Sequence, residues 1–369
     1  MKAIPTSALP PQEAQALRLV RRNGQATRSE IAGALCVTRM QATNIVRGLL
    51  ERGLLDERPE RNGGRGQPQR VLCVRGDAGY AVGVSFSHSC LEIGLVRFDG
   101  LLEHREVLPL GGAGVDELGK TIQSWIAQTR QSRRIAARRI WGVGISLPGD
   151  YRVDRKIINA HYFPQFADID LQEAFSERLD LPAVVENDSA CAAWGEHLVG
   201  AGRAIASMLF LFIGHGVGGG MTIGHNLIRG HHGNAGVFGM AFPLDQPRPS
   251  GSDLLNCLRQ SGHQTQDFRQ LAEIPVEDPV VSGWLDRAAQ QLIEPLGVLA
   301  RAFDPEAIVI GGRLPVAYLQ ALTGLLDTEA FCLLNRHELP VPRLVASTLG
   351  QSAGIVGGGS LVLDGIAAL

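Results

Sequence analysis

From Gly76 onward, apolar runs that end in glycine or in acidic residues alternate with longer amphipathic segments. Six runs have the composition of buried strands: "YAVGVSF", "CLEIGLVRF", "IWGVGISL", "AVVEN", "SMLFLFIG" and "AIVIGG". Two longer segments, "VDELGKTIQSWIAQTRQ" and "SGWLDRAAQQLIEPLGVLARAF", have the apolar spacing of helices. Strands alternating with helices predict an α/β fold with mixed sheets. Because roughly 300 residues are too many for one doubly wound unit, we expect two lobes.

Charge is distributed unevenly along the chain. Residues 1–75 carry 13 Lys and Arg against 6 Asp and Glu, a net charge of +7, whereas the remainder carries 22 against 31, a net charge of −9. A small basic segment joined to a larger acidic one is typical of a nucleic-acid-binding module attached to another domain. The sequence therefore predicts a domain boundary near residue 75.

Two capping boxes in the basic segment mark the starts of two short helices. Thr27 with Glu30, and Thr38 with Gln41, follow the S/T-x-x-E/Q pattern, in which the two side chains satisfy free backbone donors at a helix start. Farther along, "LLDERP" and "QRVLCV" flank the glycine-rich "ERNGGRGQP" and predict the two strands of a β-wing. We therefore expect a winged helix-turn-helix DNA-binding domain over residues 1–75.

The second helix of this module exposes polar side chains in its N-terminal half. Asn and Gln side chains can pair with adenine edges in the major groove, and Arg with guanine. An Arg between two glycines of the wing can enter a narrow minor groove, because its neighbours have no side chains. The predicted DNA contacts are Arg39, Gln41, Asn44, Arg47 and Arg65.

Several classes of protein are disfavoured by composition. The N-terminus has no apolar core of a signal peptide, and no apolar run reaches the 18 or so residues that a membrane helix needs. The six cysteines show no C-x-x-C spacing. We therefore expect a cytoplasmic protein with reduced thiols, without disulfides and without a membrane partner.

The stretch "LPAVVENDSACAAWGE" places a carboxylate between a short strand and a helix. Asp188 has three interpretations: a general base, a hydrogen-bond acceptor for a ligand hydroxyl, or a cap of the helix that begins near Ser189. Downstream, "GHGVGG" satisfies G-x-G-x-x-G, but a strand follows it instead of a helix, so a dinucleotide site is not expected. The aromatic residues of "NAHYFPQFADIDL", Tyr162, Phe163 and Phe166, either stack on the apolar face of a ligand or belong to the core, and the core is the favoured alternative.

Several glycine-rich segments occur in a specific order. "VEND" is followed by "GEHLVGAGRA", by "GHGVGGGMTIGHNLIRGHHGNAGVFGM", by "DPEAIVIGG" and finally by "LGQSAGIVGGG". With these segments, residues 76–369 resemble the ROK family of repressors, open reading frames and kinases, which has an actin-like, two-lobed sugar-kinase fold. The N-terminal module is similar to the winged helix of the family's repressor branch. The resemblance implies a small lobe of about 76–186 with a C-terminal helix of about 352–369, and a large lobe of about 187–351.

The resemblance also shows where this chain departs from the family's kinases. Their first hairpin turn, Asp-x-Gly-Gly-Thr, helps to hold ATP phosphates and magnesium. Here it is "SFSHS", with Ser85 in place of the Asp and with Ser87 and His88 in place of the glycines. A kinase must neutralise charge at the transferred phosphoryl group, so this turn disfavours phosphoryl transfer. The predicted remnants of the nucleotide loops are Ser85, Ser87, Gly214, His215, Gly216, Gly218, Gly311 and Gly312.

A structural zinc site of the family is also altered. Met240 stands at the position of its His ligand, and Cys257 alone cannot replace the cysteine cluster. We therefore expect no metal and no cofactor, with ATP and magnesium only if kinase activity survives.

The sugar contacts of the family are retained in part. Its Asn-Asp pair maps to Asn187 and Asp188, whereas three further contacts map to Val237, Met240 and Asn256. The pair His231–His232 is expected in a solvated loop or at the ligand, since no third metal ligand has usable spacing. The predicted ligand-binding residues are Asn187, Asp188, Pro148, Gly149, His231 and His232.

These features together predict a DNA-binding transcription regulator of carbohydrate metabolism, in the first place a repressor. Its partners would be operator DNA, a small carbohydrate effector and further copies of itself in a homodimer or homotetramer. The alternative is an active ROK sugar kinase that carries a DNA-binding domain, with Asp188 as the catalytic base. A regulator that responds to another protein is a third alternative.

Overall fold

The computed structural model describes most of the chain. The described residues are 9–60, 69–87, 90–110, 112–152, 157–159, 162–243, 245–265, 267–327, 331 and 339–365. The predicted DNA contact Arg65 and the substituted turn residue His88 lie outside these ranges. Within them, no helix is long and apolar enough to cross a membrane.

The chain divides into two compact units. The first comprises residues 1–146, 169–186 and 358–369, and the second comprises 147–168 and 187–357. Residues 147–168 were predicted to belong to the small lobe, but their contacts are in the second unit. One reason is that the main chain of Tyr151 exchanges two hydrogen bonds with the side chain of Asn234.

The basic segment folds into three helices and a three-stranded sheet. Its elements are α1 (Pro11–Asn23), β1 (Gln25–Ala26), α2 (Arg28–Ala34), α3 (Arg39–Glu51), β2 (Leu55–Glu60) and β3 (Gln69–Val74). Both predicted capping boxes are present, each with reciprocal hydrogen bonds. The pairing of β2 with β3 confirms the two strands of the wing. Strand β1, which pairs antiparallel with β3, was not predicted.

The remaining elements alternate between strands and helices, as the sequence predicts for an α/β fold. The strands are β4 (Tyr80–Phe86), β5 (Cys90–Arg97), β6 (Leu102–Pro109), β7 (Ile140–Leu147), β8 (Asp150–Tyr151), β9 (Ile158–Asn159), β10 (Ala183–Asn187), β11 (Met208–Ile213), β12 (Val217–Ile223), β13 (Asn226–Leu227), β14 (Ala307–Gly312) and β15 (Arg343–Ala346). The helices are α4 (Val115–Arg133), α5 (Leu171–Leu179), α6 (Asp188–Val199), α7 (Gly251–Gln260), α8 (Pro279–Phe303), α9 (Val316–Leu326) and α10 (Ala353–Leu363).

Each unit is built on a five-stranded mixed sheet. The first unit has the order β10-β7-β4-β5-β6, and the second has β13-β12-β11-β14-β15. In each sheet a central strand pairs antiparallel on one side and parallel on the other, β4 with β5 and β7, and β11 with β12 and β14. Both central strands are buried along their whole length, which explains why their sequences are continuous apolar runs without polar alternation.

Helix α10 packs closely through its glycines. In the first unit, a Cβ at Gly144 of β7 would collide with the carbonyl oxygen of Gly358. In the second unit, a Cβ at Gly357 would collide with the carbonyl oxygen of Cys191 in α6. Because the obstructing atoms belong to the backbone, they cannot move aside as the end of a side chain can. Packing of α10 therefore requires glycine at these positions.

A buried ion pair joins the DNA-binding module to the end of the chain within the first unit. Arg21 of α1 pairs with Asp364, and the side chains of both are 4% exposed. Arg21 also donates from Nε to the carbonyl oxygen of Phe98 at 2.9 Å, and its guanidinium carbon lies 5.0 Å from the centre of that ring. Burial lowers the pKa of Arg21 to about 10, and Asp99 opposes this shift, so the guanidinium is charged at neutral pH.

We expect Arg21→Met to lower the free energy of unfolding by about 3–5 kcal/mol, because it leaves the buried Asp364 carboxylate without its partner. Urea unfolding at pH 7 measures this change. The matched control is Arg343→Met, which breaks an exposed pair with Glu306 and should cost at most about 1 kcal/mol.

The double variant Arg21→Met/Asp364→Leu tests the cause of that loss. It should recover most of the lost stability, because neither buried charge remains. A double variant as unstable as Arg21→Met alone would contradict the assignment of the loss to an unpaired charge.

Candidate functional site

A pocket within the second unit brings together most of the predicted ligand-binding residues. Pro148 and Gly149 line it from the loop after β7, and Asn187 and Asp188 line it from the start of α6. The pocket encloses about 830 Å³ of empty space, including the open solvent at its mouth. Because this figure counts open solvent, it is an upper bound on the room for a ligand.

Asn187 is the N-cap of α6. Its side-chain oxygen accepts hydrogen bonds from the backbone N–H groups of Ser189, at 3.0 Å, and Ala190, at 3.1 Å. Its side-chain amide donates to the carbonyl oxygen of Gly149 at 2.8 Å. Asn187 therefore fixes both the start of α6 and the loop beside it. The helix cap, which was one of the three interpretations of Asp188, is thus Asn187.

Asp188 occupies the first turn of α6, and its side chain lines the pocket. Burial raises the pKa of its carboxyl group above the ordinary value, while the positive charge of Arg313 and hydrogen bonds from Ser189 oppose the shift. One of those bonds is from the Ser189 backbone N–H at 2.8 Å. A partly buried carboxylate of this kind can accept hydrogen bonds from a ligand hydroxyl or take up a proton from it.

The glycine-rich loop after β11 forms one wall of the pocket. It turns tightly, with the Gly214 N–H donating to the carbonyl oxygen of Gly216 at 3.0 Å, and the N–H of Gly251 at the start of α7 donates to Gly214 at 2.8 Å. The His215 ring packs edge-on against Phe268 at 4.8 Å between centroids. His215 and Gly216 both line the pocket.

Packing leaves little room for a side chain at three of the predicted nucleotide-loop glycines. A Cβ at Gly218 would meet the Ser189 hydroxyl, one at Gly311 would meet the Phe210 ring, and one at Gly312 would meet the backbone of Ile213. Gly312 also has a φ of +124°, which L-residues rarely adopt. Gly218 lines the pocket as well, whereas Gly311 and Gly312 are buried in β14 and do not.

The other two remnants, Ser85 and Ser87, are buried in the first unit. Ser85 of β4 lies opposite Glu92 in β5 and Ser146 in β7, both also buried. The Glu92 carboxylate accepts a hydrogen bond from Arg105. This chain thus has Ser85 at the position of the aspartate in the phosphate turn of the kinases. The carboxylate on the adjacent strand, that of Glu92, is already paired with Arg105.

The histidine pair lies in an exposed loop, which is one of its two predicted placements. His231 and His232 are exposed and contact each other edge to face, and neither lines the pocket, although the next residue, Gly233, does. Their loop turns outward at Gly230 and Gly233, which have φ values of +73° and +85°. In the part of the chain that the structure describes, no three His, Cys, Asp or Glu side chains are grouped so that they could hold a metal ion.

Sequence reasoning missed several pocket residues. Tyr162, Phe163 and Phe166 were expected in the core in preference to a ligand contact; the two phenylalanines are buried, whereas Tyr162 is 50% exposed and lines the pocket. Its ring centre lies 6.3 Å from that of His215. Arg229 and Asn234 also line the pocket. Their signal was weak, because single polar residues in a glycine-rich loop do not show which side chain turns inward.

The DNA-binding surface differs in detail from the prediction. Arg39, Asn44 and Arg47 are exposed on α3, as expected, and Arg47 donates a hydrogen bond to the Asn44 side chain. Gln41, in contrast, uses its side-chain oxygen in the capping box, accepting from the Thr38 N–H at 2.9 Å. The predicted two-bond contact of Gln41 with adenine would need the same oxygen, so the cap competes with that contact.

Comparisons with known proteins agree with this architecture. The ROK family profile matches residues 91–365, and a MarR family profile matches residues 9–66. The uncharacterized protein y4fQ of Sinorhizobium fredii is 34% identical over 362 residues, 97% of this chain and 92% of its own. The xylose repressor of Bacillus subtilis is 24% identical over 373 residues, 94% of each chain.

A solved structure has the same fold over nearly the whole length. It is a ROK family transcriptional regulator, a homolog of the E. coli MLC protein, with a TM-score of 0.70 at 19% identity, covering 97% of this chain and 98% of the other. The fold is therefore an actin-like domain of the sugar-kinase type, preceded by a MarR-type winged helix-turn-helix, as the sequence predicted. The chain belongs to the ROK family.

We expect Asp188→Asn to raise the thermal unfolding midpoint at pH 7. Burial raises the pKa of Asp188 in the folded state, so folding favours the protonated carboxyl group. That stabilisation is complete below the ordinary pKa of 3.8 and is lost as the pH rises through the folded-state value. The variant does not ionise at this position, so its advantage should shrink as the pH falls from 7 towards 4.

Differential scanning calorimetry across this pH range measures the effect. The control is Asp286→Asn, at an exposed carboxylate of α8. An advantage of Asp188→Asn that stays constant from pH 4 to pH 7 would contradict the assigned direction.

Proposed function

We propose that this chain is a cytoplasmic transcription regulator whose binding to operator DNA is modulated by a small carbohydrate, and that it does not transfer phosphoryl groups. The main support is the winged helix, in which α3 has an exposed polar and basic face. An enzyme that only converts small molecules would not need such a face. In bacterial regulators of this class the helix after the turn contacts base edges, and dimers bind paired half-sites. Homodimers or homotetramers are the corresponding assemblies.

The chemistry of the pocket favours a carbohydrate. Asp150 and Asp188 provide acceptors for ligand hydroxyl groups, Arg229 and Asn234 also line the pocket, and Tyr162 offers an aromatic face. A few placed polar groups in a pocket with apolar walls suit a ligand with several hydroxyl groups and an apolar ring face. The effector class proposed is a neutral or substituted monosaccharide.

The first unit supports the absence of phosphoryl transfer. Phosphoryl transfer needs a metal held by a carboxylate beside the phosphates. Ser85 cannot supply that carboxylate, and the Glu92 carboxylate is engaged by Arg105. Ser85 and Glu92 therefore offer no free carboxylate to a metal at this hairpin of the first unit.

We expect Arg47→Ala to weaken binding to a selected operator by about 1–3 kcal/mol, because a base-contacting arginine is lost. Fluorescence anisotropy with the full-length protein at fixed salt measures the change, after the operator is selected from a random duplex library. Arg343→Ala, an exposed arginine outside the winged helix, is the control. Equal operator affinity of both variants and the wild type would contradict the assignment of α3 to DNA.

Calorimetric titration with a panel of sugars, acetamido sugars and sugar phosphates tests the sensor. We expect one class to bind, and Asp188→Ala to abolish that binding while operator binding without sugar persists, because Asp188 lies in the pocket and not in the winged helix. The bound sugar should also change operator affinity of the wild type. Binding that Asp188→Ala leaves unchanged would place the effector elsewhere.

A second pass with ATP and magnesium distinguishes the alternative function. A sensor gives a binding heat that ends at saturation, and no ADP. Sustained heat with release of ADP would identify an active sugar kinase that carries a DNA-binding domain, with Asp188 as its base.

A further inference from the structure

The exposed face of α3 is defined by which of its residues are buried. Ala42, Ile45, Val46 and Leu49 are buried against the rest of the winged helix. Because successive residues of an α-helix are rotated by about 100°, the line directly opposite this buried stripe carries Met40, Asn44, Arg47 and Glu51. The first three belong to the N-terminal part of the helix, the part that reaches bases when a recognition helix lies in the major groove.

Met40 is the apolar residue of this line. Its side chain is 77% exposed in the first turn of α3. A single exposed apolar side chain is common on protein surfaces and indicates nothing by itself. The position of Met40 is informative because several neighbouring polar side chains form hydrogen bonds within the helix.

Several polar side chains around Met40 are engaged within the helix. Gln41 gives its side-chain oxygen to the capping box with Thr38. The Thr43 hydroxyl donates to the carbonyl oxygen of Arg39 at 2.9 Å, so its hydroxyl is turned to the backbone. One turn farther along, Arg47 donates to Asn44. At the level of the first turn, the centre of the exposed face is thus the thioether of Met40.

An apolar group in the major groove has one natural partner. Each base pair presents donors and acceptors there, and the only apolar substituent is the C5-methyl group of thymine. The net charge of +7 on residues 1–75 gives the module the electrostatic attraction that holds the helix against DNA, while Glu51 at the far end of the line disfavours contact of the C-terminal half.

We propose that Met40 is a specificity-determining residue that selects a C5-methylpyrimidine, in unmodified DNA a thymine, in each operator half-site. This inference rests on the proposed DNA-binding function. Asn44 and Arg47, bonded to each other, then contact the adjacent base pairs, and Met40 sets the preference at the position facing the first turn.

The experiment uses the full-length protein and its selected operator. Each thymine is replaced in turn by uracil, which removes only the C5-methyl group, and the dissociation constant is measured by fluorescence anisotropy at constant salt. We expect uracil at one position of each half-site to weaken wild-type binding about fourfold, the factor expected for losing one buried methyl-sized apolar group. Binding by Met40→Ala should be equally strong with thymine or uracil at that position.

Two further variants separate contact chemistry from general effects. Met40→Leu keeps an apolar side chain and should keep the uracil sensitivity. Met240→Ala removes another exposed methionine, 85% exposed and outside the winged helix, and should behave as the wild type. Loss of uracil sensitivity in Met240→Ala, or its retention in Met40→Ala, would overturn the proposal.

The source of the methyl group is settled by a second set of duplexes. At the sensitive position, the thymine–adenine pair is replaced by cytosine–guanine with and without a 5-methyl group on the cytosine. Tighter binding of the methylated form by the wild type but not by Met40→Ala supports recognition of the methyl group itself, and equal binding of both forms overturns it.

The selection step distinguishes failure of the proposed DNA binding from failure of the proposed Met40 contact. If no sequence is enriched from the library, the proposed DNA-binding function fails and this inference fails with it. If an operator is enriched but every uracil is tolerated, the regulator stands and only the role of Met40 is overturned.

Discussion

The packing of helix α10 depends on the absence of side chains at a few positions. In the first unit Gly358 lies against Gly144, and in the second unit Gly357 lies against the backbone of Cys191. Backbones this close leave no volume for a methyl group, so ordinary residues cannot build these contacts. In the second unit, Gly357 lets α10 approach α6, the helix that carries the pocket carboxylate at its start. In the first unit, Gly358 lets α10, which directly precedes Asp364, approach β7.

At the starts of two helices, one residue caps the helix and its neighbour in the sequence is available for a ligand. In α3, Gln41 completes the capping box, and the exposed apolar side chain of the turn is that of Met40. In α6, Asn187 caps the helix, and the carboxylate facing the pocket is that of Asp188. A side chain that accepts from the backbone at a helix start has little left for a ligand, whereas its neighbour is held in place by the cap. Residue types favoured both as caps and as contacts are therefore poor guides to binding on their own.

Features that depend on residues close together in the sequence could be predicted, whereas features that depend on distant segments could not. Capping boxes, buried strands and long helices depend on neighbours along the chain, and these were found, as were the Asn187–Asp188 pair and the family's fold. Arg313, Asn234 and Tyr162 act on the pocket through contacts with distant segments. The same is true of β1, which exists because of its pairing with β3. No local pattern encodes such partners, and a glycine that serves packing looks the same in sequence as one that serves a phosphate.

The buried pair of Arg21 and Asp364 links two segments that are far apart in the sequence. DNA-binding modules at an N-terminus are often regarded as cassettes that recombination or engineering can exchange between relatives. Here the module carries a guanidinium whose counter-charge lies near the last residues of the chain. A chimaera that takes one of these segments without the other inherits half of an ion pair, so exchange of the DNA-binding module is coupled to the identity of the segment around Asp364, and a change near Asp364 acts on the DNA-binding module.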